Sequence, residues 1–292
     1  MHLGNDSGVK TALLIVATSY LLYSVYQAAL TTVFLFEFPF TLNLFMIDQT
    51  VTFNVPLLLL QEAAGSIGVY VRLGAGLLAL QAAWLFAKGS DRVLKKLSKV
   101  MLLESIYFLL LLPSGINHVV TSITNPGGFF NMYTGASFVL QPLLIFPSLF
   151  MASRKLKQSI NKTVDFKWLG IAGICYVFAL WVKHSLMWVY ALVPLGNPQW
   201  SLIHYIGSAD SLLTLLIAGI FAVAAYLAFE QKKKLDTSLV GITLTLVGLY
   251  FVIYVLVSIW VPVYLSFLEL TEFWLIVLPL LGITVAKKMS QS

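Results

Sequence analysis

The chain has 292 residues, 59% of them hydrophobic and only 10% charged, with 18 Lys+Arg against 12 Asp+Glu and a formal net charge of +6. Mean hydropathy is +0.90. A soluble globular domain carries roughly 25% charged residues, so this composition excludes one and predicts an all-α, polytopic membrane protein. At about 20 apolar residues per span, the length holds about eight spans with short loops and no soluble catalytic domain.

The first predicted span covers 11 to 36. Its apolar run of about 25 residues is too long for the 7 to 15 of a signal-peptide core, and no A-x-A site follows, so an uncleaved span is expected. Residues 37–63 form the one long loop, apolar yet broken by Pro39, Asp48, Asn54 and Pro56, with Glu37 and Glu62 near its ends. That composition suits an interfacial or re-entrant segment on the outer side, a lid over the bundle, or a loop resting on headgroups.

Span 2 is predicted at 64–87. Arg72 shares a stripe there with Gly68, Ala75, Ala79 and Ala83, which suits close helix packing and turns Arg72 inward. Span 3 follows at 98–117, with Glu104 inside it and His118 at its end. Span 4 (129–152) contains Gln141, Pro142 and Pro147, a pattern that marks a kink and frees backbone carbonyls. Span 5 (168–193) holds Lys183 and His184, the latter flanked at helical spacing by Trp181 and Trp188. His204 and Asp210 open span 6 (204–229), Tyr250, Tyr254 and Ser258 line a stripe of span 7 (238–261), and Glu269 and Glu272 share a face of span 8 (264–286).

Sixteen of the 18 cations lie at Lys10, in 88–99, in 154–167, at 232–234 and at 287–288, all on one side if eight spans are counted. The opposite loops contain no Lys or Arg but hold Pro39, Pro56, Pro113, Pro126, Pro194, Pro198 and Pro262. The positive-inside rule then places both termini in the cytoplasm, with the single domain 1–292 in the plasma membrane. Cations beside span ends serve topology and contact with anionic lipid, not nucleic acid. A chain without a soluble domain also implies other membrane or peripheral subunits as partners.

Ionisable groups inside spans are costly and mark candidate sites. At about 1.5 Å per residue, Arg72, Lys183, His184, Asp210, Glu269 and Glu272 all fall in the outer half. Glu104 falls in the inner third, where it either pairs with the basic 88–99 loop or lines the bundle near it. The outer layer thus predicts two cations, Arg72 and Lys183, facing three carboxylates, Asp210, Glu269 and Glu272. They form either a structural ion-pair network or a site for a proton, ion or substrate.

His118, His184 and His204 lie on that same side. Paired imidazoles between apolar and aromatic walls suit haem b, and Met132 and Met187 supply thioether alternatives or members of a copper site. The single Cys175 excludes a disulfide framework and any multi-cysteine zinc or iron–sulfur site within the chain. There is no Walker loop, GxGxxG, GxSxG, HExxH or Asp-rich prenyl-transfer motif.

Three functions follow as expectations. The first is the membrane subunit of an electron-transfer complex, holding haem b or contacting quinol, with Asp210, Glu269 and Glu272 accepting protons. The second is a proton- or cation-coupled secondary transporter or channel, in which Arg72 or Lys183 binds an anionic group. Against it stands the thin polar content of the inner half, where the sequence offers Glu104, Gln81 and a few hydroxyls. The third is an outer-leaflet enzyme acting on a lipid-linked substrate.

Overall fold

Every described element is helical. The computed structural model describes residues 7–37, 55–124, 129–158 and 167–192 together with isolated positions near 219–226. In chain order the helices are α1 (Ser7–Glu37), α2 (Val55–Ala87), α3 (Val93–Thr124), α4 (Phe129–Gln158) and α5 (Lys167–Leu192). Three segments, Leu13–Val33, Leu57–Ala87 and Val93–Val120, are long and apolar enough to cross a membrane. Spans 7 and 8, and all but isolated positions of span 6, lie outside the described residues.

The chain divides into two compact units, Leu13–Asn161 and the combination of Met1–Ala12 with Lys162–Ser292. In the first unit, α2 begins at Val55, earlier than the expected residue 64. Pro56 stands in its first turn, where a missing N–H costs nothing. Residues 55–63 of the expected loop are therefore helical, Glu37 ends α1, and 38–54 lie outside the described residues. Pro113, counted among the loop prolines although it falls within the expected span 98–117, lies inside α3, which runs from Val93 to Thr124. Apolar helices tolerate such interruptions because neighbouring helices and side chains can satisfy the freed backbone groups.

The turn between α2 and α3 follows from two residues. Gly89 adopts a positive φ of 68°, and its N–H donates to Phe86 O at 3.0 Å while Ser90 N–H donates to Leu85 O at 3.0 Å. That pair of bonds is a Schellman cap, which needs a left-handed residue and so favours glycine. Ser90 then starts α3, its Oγ accepting from the Arg92 N–H at 3.3 Å.

Small residues set the packing. Ala75, Ala79, Ala82 and Ala83 of α2 are buried. A Cβ on Gly76 would stand 3.2 Å from Leu21 Cα and 3.2 Å from Ser24 Oγ, so the α1 and α2 backbones approach closely there. Between α3 and α4 the glue is polar: Ser98 Oγ donates to Ser153 O at 2.9 Å and Ser153 Oγ donates to Ser98 O at 2.7 Å. Each hydroxyl thereby satisfies a carbonyl across the interface, beside the buried α4 row Ile145, Leu149, Ala152 and Leu156.

In the second unit α5 buries Leu169, Ala172, Tyr176 and Ala179 and exposes Ile174, Phe178 and Trp181. Outward faces of the first unit are equally apolar. Leu22, Leu60, Ile67, Leu77 and Trp84 are each at least half exposed.

Candidate functional site

The first unit is built around a charged centre. Arg72 on α2 and Glu104 on α3 are both completely buried, with Arg72 Nε 3.8 Å from Glu104 Oε1. Tyr20 of α1 donates its hydroxyl hydrogen bond to Glu104 Oε1. Arg72 Nη1 donates to the Tyr107 hydroxyl at 3.1 Å.

Aromatic rings enclose the guanidinium. Its carbon lies 4.3 Å from the Tyr107 ring centroid and 5.9 Å from each of Tyr20 and Tyr23. Such contacts attract a cation through the ring quadrupole, more strongly where water is excluded. Gly68, one helical turn from Arg72, makes room: a Cβ there would meet Tyr107 Cδ2 at 3.4 Å. The small-residue stripe does turn Arg72 inward, as its spacing predicts.

Satisfaction is incomplete. Arg72 Nε and Nη2 and Glu104 Oε2 are buried and have no hydrogen-bond partner. An ion pair in a low-dielectric interior needs such bonds to offset desolvation of several kcal/mol per ion. This centre therefore holds unused donor and acceptor capacity.

Each member of the centre lies near the middle of its apolar segment. Arg72 is at the midpoint of Leu57–Ala87, Tyr23 is at the midpoint of Leu13–Val33, and Glu104 and Tyr107 flank the midpoint of Val93–Val120. Depths counted from residues 64 and 117 placed Arg72 in the outer half and Glu104 in the inner third. α2 and α3 extend further than those limits, and the two residues meet across them. Glu104 thus pairs with Arg72 and not with the basic 88–99 loop. Lys96 of that loop donates instead to Gln81 Oε1 at 2.7 Å.

A cleft of about 540 Å³ opens between α1, α2 and α3 toward the Thr124 end of α3. Its polar lining includes Thr31, Glu62, Ser66 and Ser114, and Leu30, Leu110 and Leu111 supply apolar wall. Gln61 also borders it, its side chain held by Asn117 Nδ2, which donates to Gln61 Oε1 at 2.7 Å. Between cleft and centre lies Gln27. Its Nε2 donates to the Tyr23 hydroxyl, while its Oε1 is buried and has no hydrogen-bond partner.

The remaining predicted residues are distributed as follows. His118 is exposed near the end of α3. Lys183 and His184 lie on α5, as does Met187, and Met132 lies on α4, with their side chains outside the description. His204, Asp210, Glu269 and Glu272, with Tyr250, Tyr254 and Ser258, lie outside the described residues. Among the described residues no group of three or more His, Cys, Asp or Glu is placed to hold a metal ion.

Tyr20, Tyr23, Tyr107 and Gln27 were not legible as site residues. Tyrosine and glutamine are common in membrane helices, and only the rotation of three helices brings these to one point. Comparison with protein-family models, with curated proteins and with solved structures finds no match for this chain.

Proposed function

We propose that the chain is an eight-span plasma-membrane protein with both termini cytoplasmic, working as a proton- or cation-coupled secondary transporter. The observation that carries this reading is the buried Arg72–Glu104 pair at the centre of three apolar segments, with orphaned polar atoms, and a cleft that carries Glu62 nearer one end of the same helices. Charges at such depth are expensive, and their usual use in helical membrane proteins is an ion or substrate pathway or a proton relay. Apolar outward faces, with Leu22, Leu60 and Ile67 more than half exposed, support a lipid surrounding.

The mechanism follows from the pairing. Arg72 and Tyr20 both hold Glu104 through Oε1, and its Oε2 is available to a proton or a ligand hydrogen. Loading Oε2 weakens the hold on Arg72, whose Nε and Nη2 then lose their counter-charge. Helices α1, α2 and α3 each contribute to this lock, so its occupancy biases how they pack.

The test uses purified protein in liposomes loaded with a pH-sensitive dye. Wild-type vesicles are expected to dissipate an imposed pH gradient when organic ions are added outside, and Glu104→Gln to slow this about tenfold or more, equivalent to ~1.4 kcal/mol. Equal rates in empty, wild-type and Glu104→Gln vesicles reject the proposal. A reduced-minus-oxidised visible spectrum separates the electron-transfer reading: a b-type α-band or extractable quinone would replace transport by a haem or quinol role for His118, His184 and His204.

A further inference from the structure

From the lining of the cleft we infer that it binds a protonated amine carrying an apolar group, with Glu62 as its counter-ion. The inference deepens the transport reading by naming a ligand class, and rests on that reading only for the direction of movement.

Charge complementarity selects the cation. Glu62 is the one ionisable residue among the described residues lining the cleft, and it makes no ion pair or hydrogen bond with any described residue. Arg72, the charged residue inside the same three-helix unit, is fully buried and already faces Glu104.

Hydroxyl acceptors share the cleft with the carboxylate: Thr31, Ser66 and Ser114 border it. An ammonium has several N–H donors and no acceptor, which matches a carboxylate and hydroxyls. Leu30, Leu110 and Leu111 face the rest of the ligand. A volume of about 540 Å³ falls within the roughly 300–1,000 Å³ of small-molecule sites.

Gly65 supplies the means of testing occupancy. It lies on the cleft wall, and a Cβ built there meets nothing within 4 Å. A larger side chain at 65 fills the cleft without displacing a helix.

Calorimetric titration of the full chain in detergent would use phenethylamine, with phenethyl alcohol and phenylacetate as neutral and anionic counterparts. Phenethylamine is expected to bind at least about tenfold more tightly than either, equivalent to ~1.4 kcal/mol or more. Glu62→Gln should erase that preference, and Gly65→Leu should abolish binding while Gly65→Ala retains it. Equal affinity for amine and alcohol, an unchanged preference in Glu62→Gln, or unchanged binding in Gly65→Leu each overturns the inference. So does binding of dispersed phosphatidylethanolamine in place of the free amine, which would assign the cleft to lipid. Binding without any proton flux in vesicles rejects transport and leaves the amine site standing; flux without amine binding does the reverse.

Discussion

At the residue scale the decisive pair is Arg72 and Glu104. Each alone is a buried charge that would cost several kcal/mol, and together they hold each other with Tyr20 and Tyr107. Arg72→Met or Glu104→Leu alone is expected to destabilise the protein by about 3–5 kcal/mol, because either leaves an uncompensated buried charge. The double substitution removes both charges and should recover most of that loss. Thermal unfolding in detergent checks the cycle, and additive losses in the double variant would contradict the pairing. Stability and activity then separate: the recovered double variant should fold yet show no coupled proton flux. Were flux normal in it, the pair would be structural only.

At the element scale the first unit depends on close backbone approach. Gly76 meets Leu21 Cα and Ser24 Oγ at 3.2 Å, and Gly65 meets nothing. Gly76→Leu should therefore force α1 from α2 and lower the melting temperature clearly, with a cost of about 1–3 kcal/mol for overpacking. Gly65→Leu should leave it near wild type. Similar melting temperatures for the two variants would show that α1 and α2 are not packed at Gly76. The α3–α4 contact is expected to respond more weakly. Ser98→Ala removes the hydroxyl that bonds Ser153 O and should cost about 0.6 kcal/mol, the average for interhelical bonds in membrane bundles.

At the scale of the whole molecule the proposal is a topology. Lys88, Arg92, Lys95, Lys96 and Lys99 gather at the turn between α2 and α3, where Lys88 Nζ stacks 3.6 Å from the Trp84 ring centroid. Trp and Lys together suit a membrane interface. With Cys175 replaced by Ser, Asp91→Cys and His118→Cys place one thiol at each end of α3, both at exposed positions. An impermeant maleimide added to intact cells should label His118→Cys at once and Asp91→Cys only after permeabilisation. The opposite pattern would invert the topology and put the 540 Å³ cleft on the cytoplasmic side.

What the sequence determined by itself was the class of structure and several local features, for physical reasons that act along one helix. Long apolar runs specify helices wherever the backbone must satisfy its own hydrogen bonds. The small-residue stripe of α2 predicts the inward turn of Arg72, and the basic residues after Ala87 mark a helix end that Gly89 closes. The partner of Arg72 was a different kind of question. Its answer depended on where α2 and α3 start and how they rotate, and apolar residues tolerate extension of a helix by several positions at little cost. Tertiary packing alone decided that Glu104 stands level with Arg72, that three tyrosines close around them, and that Glu62 and Thr31 share one cleft. Interhelical contacts fix depth and rotation together, and a single helix carries no record of its neighbours' register.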